Sequence, residues 1–277
     1  MPTTGRFRYL EATPSSATRP RGTVVLLHAF PLNGLMWEPQ LAPLAADGWR
    51  VLAPHVRGAD GGTATGGRVS VPDEDTRPTT MDDYAADLVD LLDALHVEDA
   101  VIGGCSMGGY LALALMRRAP NYFRGLLLVD TRSQADAPEA LEGRRKLLKL
   151  AEDQGPGAVV ADMEPKLLGD TTRRERPGVV AQLRAMAMRN SNAAVAGMVR
   201  ALMSRQDSTP LLGGIRVPTL IVVGEEDTIT PPALSQQMHA AIAGSTLEVL
   251  PRVGHLPNLE DPQSFNGVLT RFLAHKV

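Results

Sequence analysis

Ser106 stands in the run Gly104-Cys105-Ser106-Met107-Gly108, directly after the apolar stretch Ala100-Val101-Ile102-Gly103 and directly before the helical-looking stretch Tyr110 to Arg118. A serine at the apex of a strand-to-helix turn, flanked by glycines that let two backbone segments approach, has its hydroxyl pushed outward toward a ligand. The turn also leaves the amide of Met107 at a helix N-terminus, where it can donate to a developing oxyanion. A serine hydroxyl attacks a carbonyl well only when a base takes its proton, and that base needs a carboxylate to orient it and stabilise its charged form.

The partners are therefore sought downstream, in the order nucleophile, acid, base that is expected for this class of fold. Three histidines follow Ser106: His239, His255 and His275. The patterning predicts a helix from Pro232 to Ile242 that contains His239, and His275 falls near the end of the last helix. His255 instead sits in Val253-Gly254-His255-Leu256-Pro257, a loop after the strand Thr246 to Leu250. A loop at the C-terminal edge of a sheet is where a base can reach the nucleophile. For the acid, Asp227 follows the buried strand Thr219 to Val223, with Glu225 and Glu226 beside it and Asp130 at another strand end as competitors. A second oxyanion donor is expected from the loop after the strand that ends at His28, through the backbone N–H of Phe30. His28 itself reads as a residue that orients this loop. Cys105 reads as a small buried apolar residue, not a second nucleophile.

The elements that must hold these residues are apolar runs of strand length at Phe7 to Leu10, Thr23 to His28, Arg50 to Pro54, Ala100 to Gly103, Gly125 to Val129 and Thr219 to Val223. Continuous apolar runs of this length mark strands buried on both faces. Amphipathic stretches separate them, with helices expected over Leu35 to Ala46 and Met81 to Leu95, the second capped by Thr79 or Thr80. The alternation implies an α/β fold, a mostly parallel central sheet with helices on both faces. From Thr131 to Gly213 the strand-like runs stop and the chain becomes helical. The expected organisation is a core over 1–131, an inserted helical cap over 132–212, and the rest of the core over 213–277. Met163 and Met186 of the insertion, with Phe30 and Met107, are the candidates for lining a substrate pocket, because flexible thioethers suit an apolar cavity. A second insertion, the polar, glycine-rich stretch Ala59 to Pro78, is expected to be a mobile loop beside the strand ending at Pro54.

The 28 basic and 31 acidic side chains in 277 residues are well mixed, for a net charge of -3. That leaves no basic stripe for nucleic acid and no polybasic membrane patch, and it favours a small, near-neutral partner. No run approaches the ~18 apolar residues of a membrane span, and the first residues lack the apolar core of a signal peptide, so a soluble, cytoplasmic protein is expected. A single cysteine excludes an internal disulfide and a cysteine-built zinc site. No metal and no cofactor are expected.

Leu27-His28-Ala29-Phe30-Pro31-Leu32, Arg57-Gly58, Gly104-Cys105-Ser106-Met107-Gly108-Gly109-Tyr110, Gly224-Glu225-Glu226-Asp227 and Gly254-His255-Leu256-Pro257-Asn258-Leu259-Glu260-Asp261-Pro262 together resemble the α/β-hydrolase superfamily. The chain is most similar to its bacterial carboxylesterases and oxoadipate enol-lactonases, over nearly its whole length. Leu128-Val129-Asp130-Thr131-Arg132 and Arg205 to Leu212 resemble the edges of the cap in those esterases. The resemblance selects Asp227 over its competitors and implies a Ser106–His255–Asp227 triad with an acyl-enzyme intermediate, acting on small carboxylic esters. Lactone opening, acyl transfer or perhydrolysis by the same triad are the alternatives, followed by a non-catalytic ligand receptor. The chain departs from the pattern at Ala29, where glycine is usual, and at His55, where an aspartate usually precedes the Arg-Gly pair.

Overall fold

The computed structural model describes residues 5–15, 20–59, 68–70 and 79–277. Eight strands form one sheet: β1 (Gly5–Ala12), β2 (Thr23–Leu27), β3 (Arg50–Pro54), β4 (Arg68–Ser70), β5 (Ala100–Cys105), β6 (Phe123–Val129), β7 (Thr219–Gly224) and β8 (Thr246–Leu250), in the order β4-β1-β3-β2-β5-β6-β7-β8. The six strands from β3 to β8 in that order run parallel, and β1 and β4 add on antiparallel at one edge. The strand β4 lies within the stretch Ala59 to Pro78 read from sequence as a loop. Too short and polar to leave an apolar signature, it is recruited by the open edge of β1. The rest of that stretch, 60–67 and 71–78, lies outside the described residues.

Alternate residues of the central parallel strands feed two cores. Val25, Leu27, Ile102 and Leu128 face the helices α2 (Met81–Ala94) and α3 (Met107–Arg118), whereas Val24, Leu26, Val101 and Val129 face α1 (Glu38–Ala46) and the last helix, Pro262–His275. This period-2 division is what a strand covered on both sides must do with its side chains. The α2 start carries the expected cap, with the Thr80 hydroxyl accepting from the Asp83 N–H and the Asp83 carboxylate accepting from the Thr80 N–H, a reciprocal capping box.

Between β6 and β7 the described chain is helical only: α4 (Pro138–Leu167), α5 (Asp170–Glu175), α6 (Pro177–Ala187), α7 (Asn192–Ser204) and α8 (Thr209–Leu212). Helix α4 is broken at Gly155, whose φ of 75° is open to glycine at little cost and is followed by Pro156. Three further helices complete the chain: α9 (Pro232–Ala241), α10 (Pro257–Glu260) and α11 (Pro262–His275). No helix among the described residues is long and apolar enough to cross a membrane.

Candidate active site

From β2 the chain builds β3 on one side of the sheet and, after α2, returns to place β5 on the other. Where a parallel sheet reverses its order in this way, the loops leaving the carboxyl ends of the two strands diverge and open a crevice. Phe30 leaves β2 and Ser106 leaves β5 at that point, so both flank the crevice. Asp130, Asp227 and His255 leave the same sheet edge after β6, β7 and β8.

Ser106 holds φ 53° and ψ -111°, a conformation L-residues avoid. The turn is locked in place by bonds at both ends of the residue: its N–H donates to Val129 O at 2.9 Å, and its carbonyl accepts from Thr131 Oγ1 at 2.9 Å. The flanking glycines are steric requirements, since a Cβ on Gly104 would lie 2.2 Å from the Leu27 carbonyl oxygen and one on Gly108 2.0 Å from it. Strain of this kind persists where the surroundings over-determine it, and it is concentrated at functional sites.

His255 Nδ1–H donates to Asp227 Oδ2 at 2.8 Å. That fixes the tautomer and leaves the Nε2 lone pair as the basic atom. Asp227 is held in turn by the amides of Ile229 (2.8 Å) and Thr230 (3.1 Å) and by the Thr230 hydroxyl (2.6 Å). Burial pushes the Asp227 carboxyl up, but the charge and hydrogen bond of His255, and the bond from the Thr230 hydroxyl, outweigh it and leave Asp227 well below the ordinary carboxylate range. His255 is brought toward the serine turn by a bond from Cys105 Sγ to its carbonyl oxygen, 3.3 Å. Its loop is anchored by Glu260, whose carboxylate accepts from the N–H groups of Gly254 (3.0 Å), Leu256 (3.0 Å) and Gly169 (2.9 Å). Ser106 is 9% exposed against 3% for Asp227 and 1% for His255, so the serine is the most open of the three and the other two are sealed.

The competing acids have other attachments. Glu226 accepts from the Thr171 amide and hydroxyl at the start of α5, and Glu225 accepts from the Arg252 amide at 3.3 Å. Asp130 lies in the site but binds the Gly224 N–H, at 2.8 Å. His239 and His275 sit on α9 and α11. Burial above all pushes the Cys105 thiol up, which keeps it protonated and unreactive.

Phe30 and Met107 are buried in the same apolar cluster. Met107 opens α3, so its amide is among those with no intrahelical acceptor. The Phe30 loop is braced by His28, whose Nδ1–H donates to Ala29 O at 3.0 Å and whose Nε2 accepts from the Val56 N–H at 3.1 Å. The bond accepted by Nε2 requires a neutral ring, and burial lowers the His28 pKa to about 3. At the two departures noted in the sequence, Ala29 donates its N–H to Met36 Sδ (3.1 Å), and His55 Nδ1 accepts from the Gly34 N–H (3.3 Å). Asn33 and Asn190 tie the loop to the helical segment: Asn33 Nδ2 donates to Met186 O at 3.1 Å, and Asn190 Nδ2 donates to Pro31 O at 2.8 Å. Of the two candidate pocket methionines, Met186 is buried on α6 beside this junction. Met163 is half-buried and borders a 540 Å³ groove along α4 that also reaches Ile229. Thr230, Thr131 and Glu260 were not singled out as working residues in the sequence; only the Asp-Thr-Ile-Thr spacing, which lets a carboxylate cap its own turn, signals the first of them.

The fold and this arrangement define a member of the α/β-hydrolases. The model of the alpha/beta hydrolase family matches residues 24–268, and the chain belongs to that family. It is 28% identical over 265 residues to 3-oxoadipate enol-lactonase 2 of Acinetobacter baylyi, covering 94% of this chain and 92% of the relative. Among solved structures, a thermophilic esterase from Thermogutta terrifontis superposes with a TM-score of 0.85 at 33% identity, over 97% of this chain and 93% of that one. The enol-lactonase from Burkholderia xenovorans LB400 superposes with a TM-score of 0.83 at 25% identity, over 99% of this chain and all (100%) of the other.

Proposed function

We propose that this hydrolase is a serine carboxylesterase acting on small carboxylic esters, with Ser106 as nucleophile, His255 as general base and Asp227 as the acid that orients it. The observation that carries the reading is the 2.8 Å bond from His255 Nδ1–H to the buried Asp227 carboxylate, on a loop tethered to the residue before the strained Ser106. Nε2 takes the Ser106 proton as Oγ adds to the ester carbonyl, and the Asp227 carboxylate stabilises the imidazolium that forms. The amides of Phe30 and Met107 receive the oxyanion. The tetrahedral intermediate collapses to an acyl-serine, the alcohol leaving with the proton from Nε2, and water then reverses the sequence to release the acid. The segment 132–212 acts as the cap, with Met163 and Met186 beside the acyl group. The substrate is a small ester that needs no cofactor, and the site of action is the cytoplasm.

A lactone is the second reading, favoured by the two enol-lactonase relatives that span nearly the whole chain. Ring opening uses the same attack and the same oxyanion donors, and the alcohol stays attached to the acyl group. The test is hydrolysis of chromogenic esters graded by acyl length alongside a set of lactones, with fluorophosphonate labelling of the serine. Wild-type protein should turn over and label at Ser106, and Ser106→Ala should lose at least about 10³-fold in kcat. Equal rates for the two proteins would refute the serine mechanism.

A further inference from the structure

Asp130 is fully buried at the end of β6, with φ 41°. One of its oxygens accepts the Gly224 N–H at 2.8 Å; the other, sealed from solvent, has no hydrogen-bond donor among the described residues. What faces it is acidic. An atom of the Asp130 carboxyl lies within 4.8 Å of one of the Asp227 carboxylate and of a His255 ring nitrogen. The remaining titratable groups around it are the Cys105 thiol from β5 and the Glu260 carboxylate from α10. The carboxylates of Asp227 and Glu260 each have several N–H or O–H donors to hold a negative charge. Asp130 has one. A second carboxylate this close to Asp227 and served by a single amide is the arrangement in which one of the two must keep its proton.

We propose that Asp130 is a neutral carboxylic acid at neutral pH and donates its O–H to the Asp227 carboxylate, so that the acid of the triad is a two-carboxyl unit holding one proton. Asp130 is a positioning residue: it never meets the substrate. Its hydrogen bond spreads the Asp227 charge, which moderates the pull of that carboxylate on the His255 imidazolium, and it fixes the carboxylate plane against which Nδ1–H is aimed. Burial, and then the Asp227 charge, push the Asp130 carboxyl well above the ordinary range, in line with this assignment. The catalytic half of the inference rests on the triad proposed above; the protonation half does not.

Two measurements separate the halves. The first is the pH dependence of stability, which needs no activity. A carboxyl that stays protonated in the folded chain but ionises in the unfolded one makes folding less favourable as pH rises. Relative to Asp130→Asn, the wild-type unfolding equilibrium should therefore move toward the unfolded state by about tenfold per pH unit above roughly pH 4, until the folded carboxyl itself ionises. Parallel curves for the two proteins, or a wild type that gains on the variant, overturn the proposal. The second is the low-pH limb of kcat/KM. Asp130→Leu, which removes the donor, should lower kcat/KM about tenfold and move the limb to higher pH. Asp130→Asn restores an N–H donor and should recover most of that loss with the limb in its wild-type place. A limb moved to lower pH by about one unit in Asp130→Asn would mean that a negative charge had been removed, and would overturn the assignment. Should the esterase reading fail while the stability curves diverge as stated, the shared proton stands and only its catalytic use falls.

Discussion

At the scale of single residues the site is a set of donors crowded onto Asp227. Thr230 supplies two of them from one turn, its amide and its hydroxyl. Thr230→Val keeps the shape and the amide but removes the 2.6 Å hydroxyl bond, and it should lower kcat/KM about tenfold while leaving KM nearly constant, as steady-state kinetics would show. A loss carried entirely by a rise in KM would place Thr230 in substrate binding instead. Ser106, Asp227 and His255 were legible in the sequence because each stands in a short motif at a strand end. The closeness of Asp130 to Asp227 was not: the two residues come from different strands, and only the parallel pairing of β6 with β7 brings their carboxyls together. The sequence could name Asp130 only as a rival for the same position, whereas in the folded chain it stands beside Asp227.

At the scale of elements, the passage from β6 into the helical segment is organised by Asp136. Its side chain is 1% exposed and accepts from Arg205 (2.6 Å), Arg132 (2.5 Å) and Arg144 (3.1 Å), while the Arg205 guanidinium lies 4.0 Å over the Tyr110 ring on α3. Burial acts to raise the Asp136 pKa, but Arg144 and Arg205 reverse this and bring it to about 2. A depressed carboxyl contributes stability above its unfolded pKa of about 4 and loses it as pH falls toward the folded value. Asp136→Asn should therefore cost about 2 to 3 kcal/mol at pH 7, with the gap to wild type closing between about pH 4 and pH 2 in denaturant titrations. A gap that persists unchanged at pH 2 would show that packing, not charge, sets the cost. Strands and the α2 cap were legible because burial on both faces and the Thr80–Asp83 spacing leave local patterns. The break in α4 has only the local pair Gly155-Pro156 as its signal, and the pairing of β4 was not legible, because it depends on a distant strand edge.

At the scale of the whole molecule, the helical segment shares its apolar contacts with the sheet. Val195, Val199 and Leu202 of α7 belong to the same buried cluster as Tyr84 of α2 and Leu111 of α3. Both tryptophans, Trp37 and Trp49, lie instead in the other cluster, near α1 and the strands. Far-UV circular dichroism weighs the helical segment heavily, and tryptophan fluorescence reports from two positions outside that segment. The two should nevertheless report one coincident unfolding transition, since neither part buries its apolar face without the other. Loss of helix signal ahead of the fluorescence change would show a segment that unfolds alone.

Leu27 gives these scales a common reference. Its carbonyl oxygen is the surface that both glycines of the serine turn press against. Two residues on, the chain is already turning into the loop that presents Phe30. The proposed nucleophile and one of the proposed oxyanion donors are thus measured from a single peptide of β2, as two jaws of a vice are measured from one bed. A thermal displacement of that strand carries both together, so their separation is preserved even while their positions fluctuate. In Gly108→Ala the added Cβ would lie 2.0 Å from that oxygen, so the clash enters this registration from one side only.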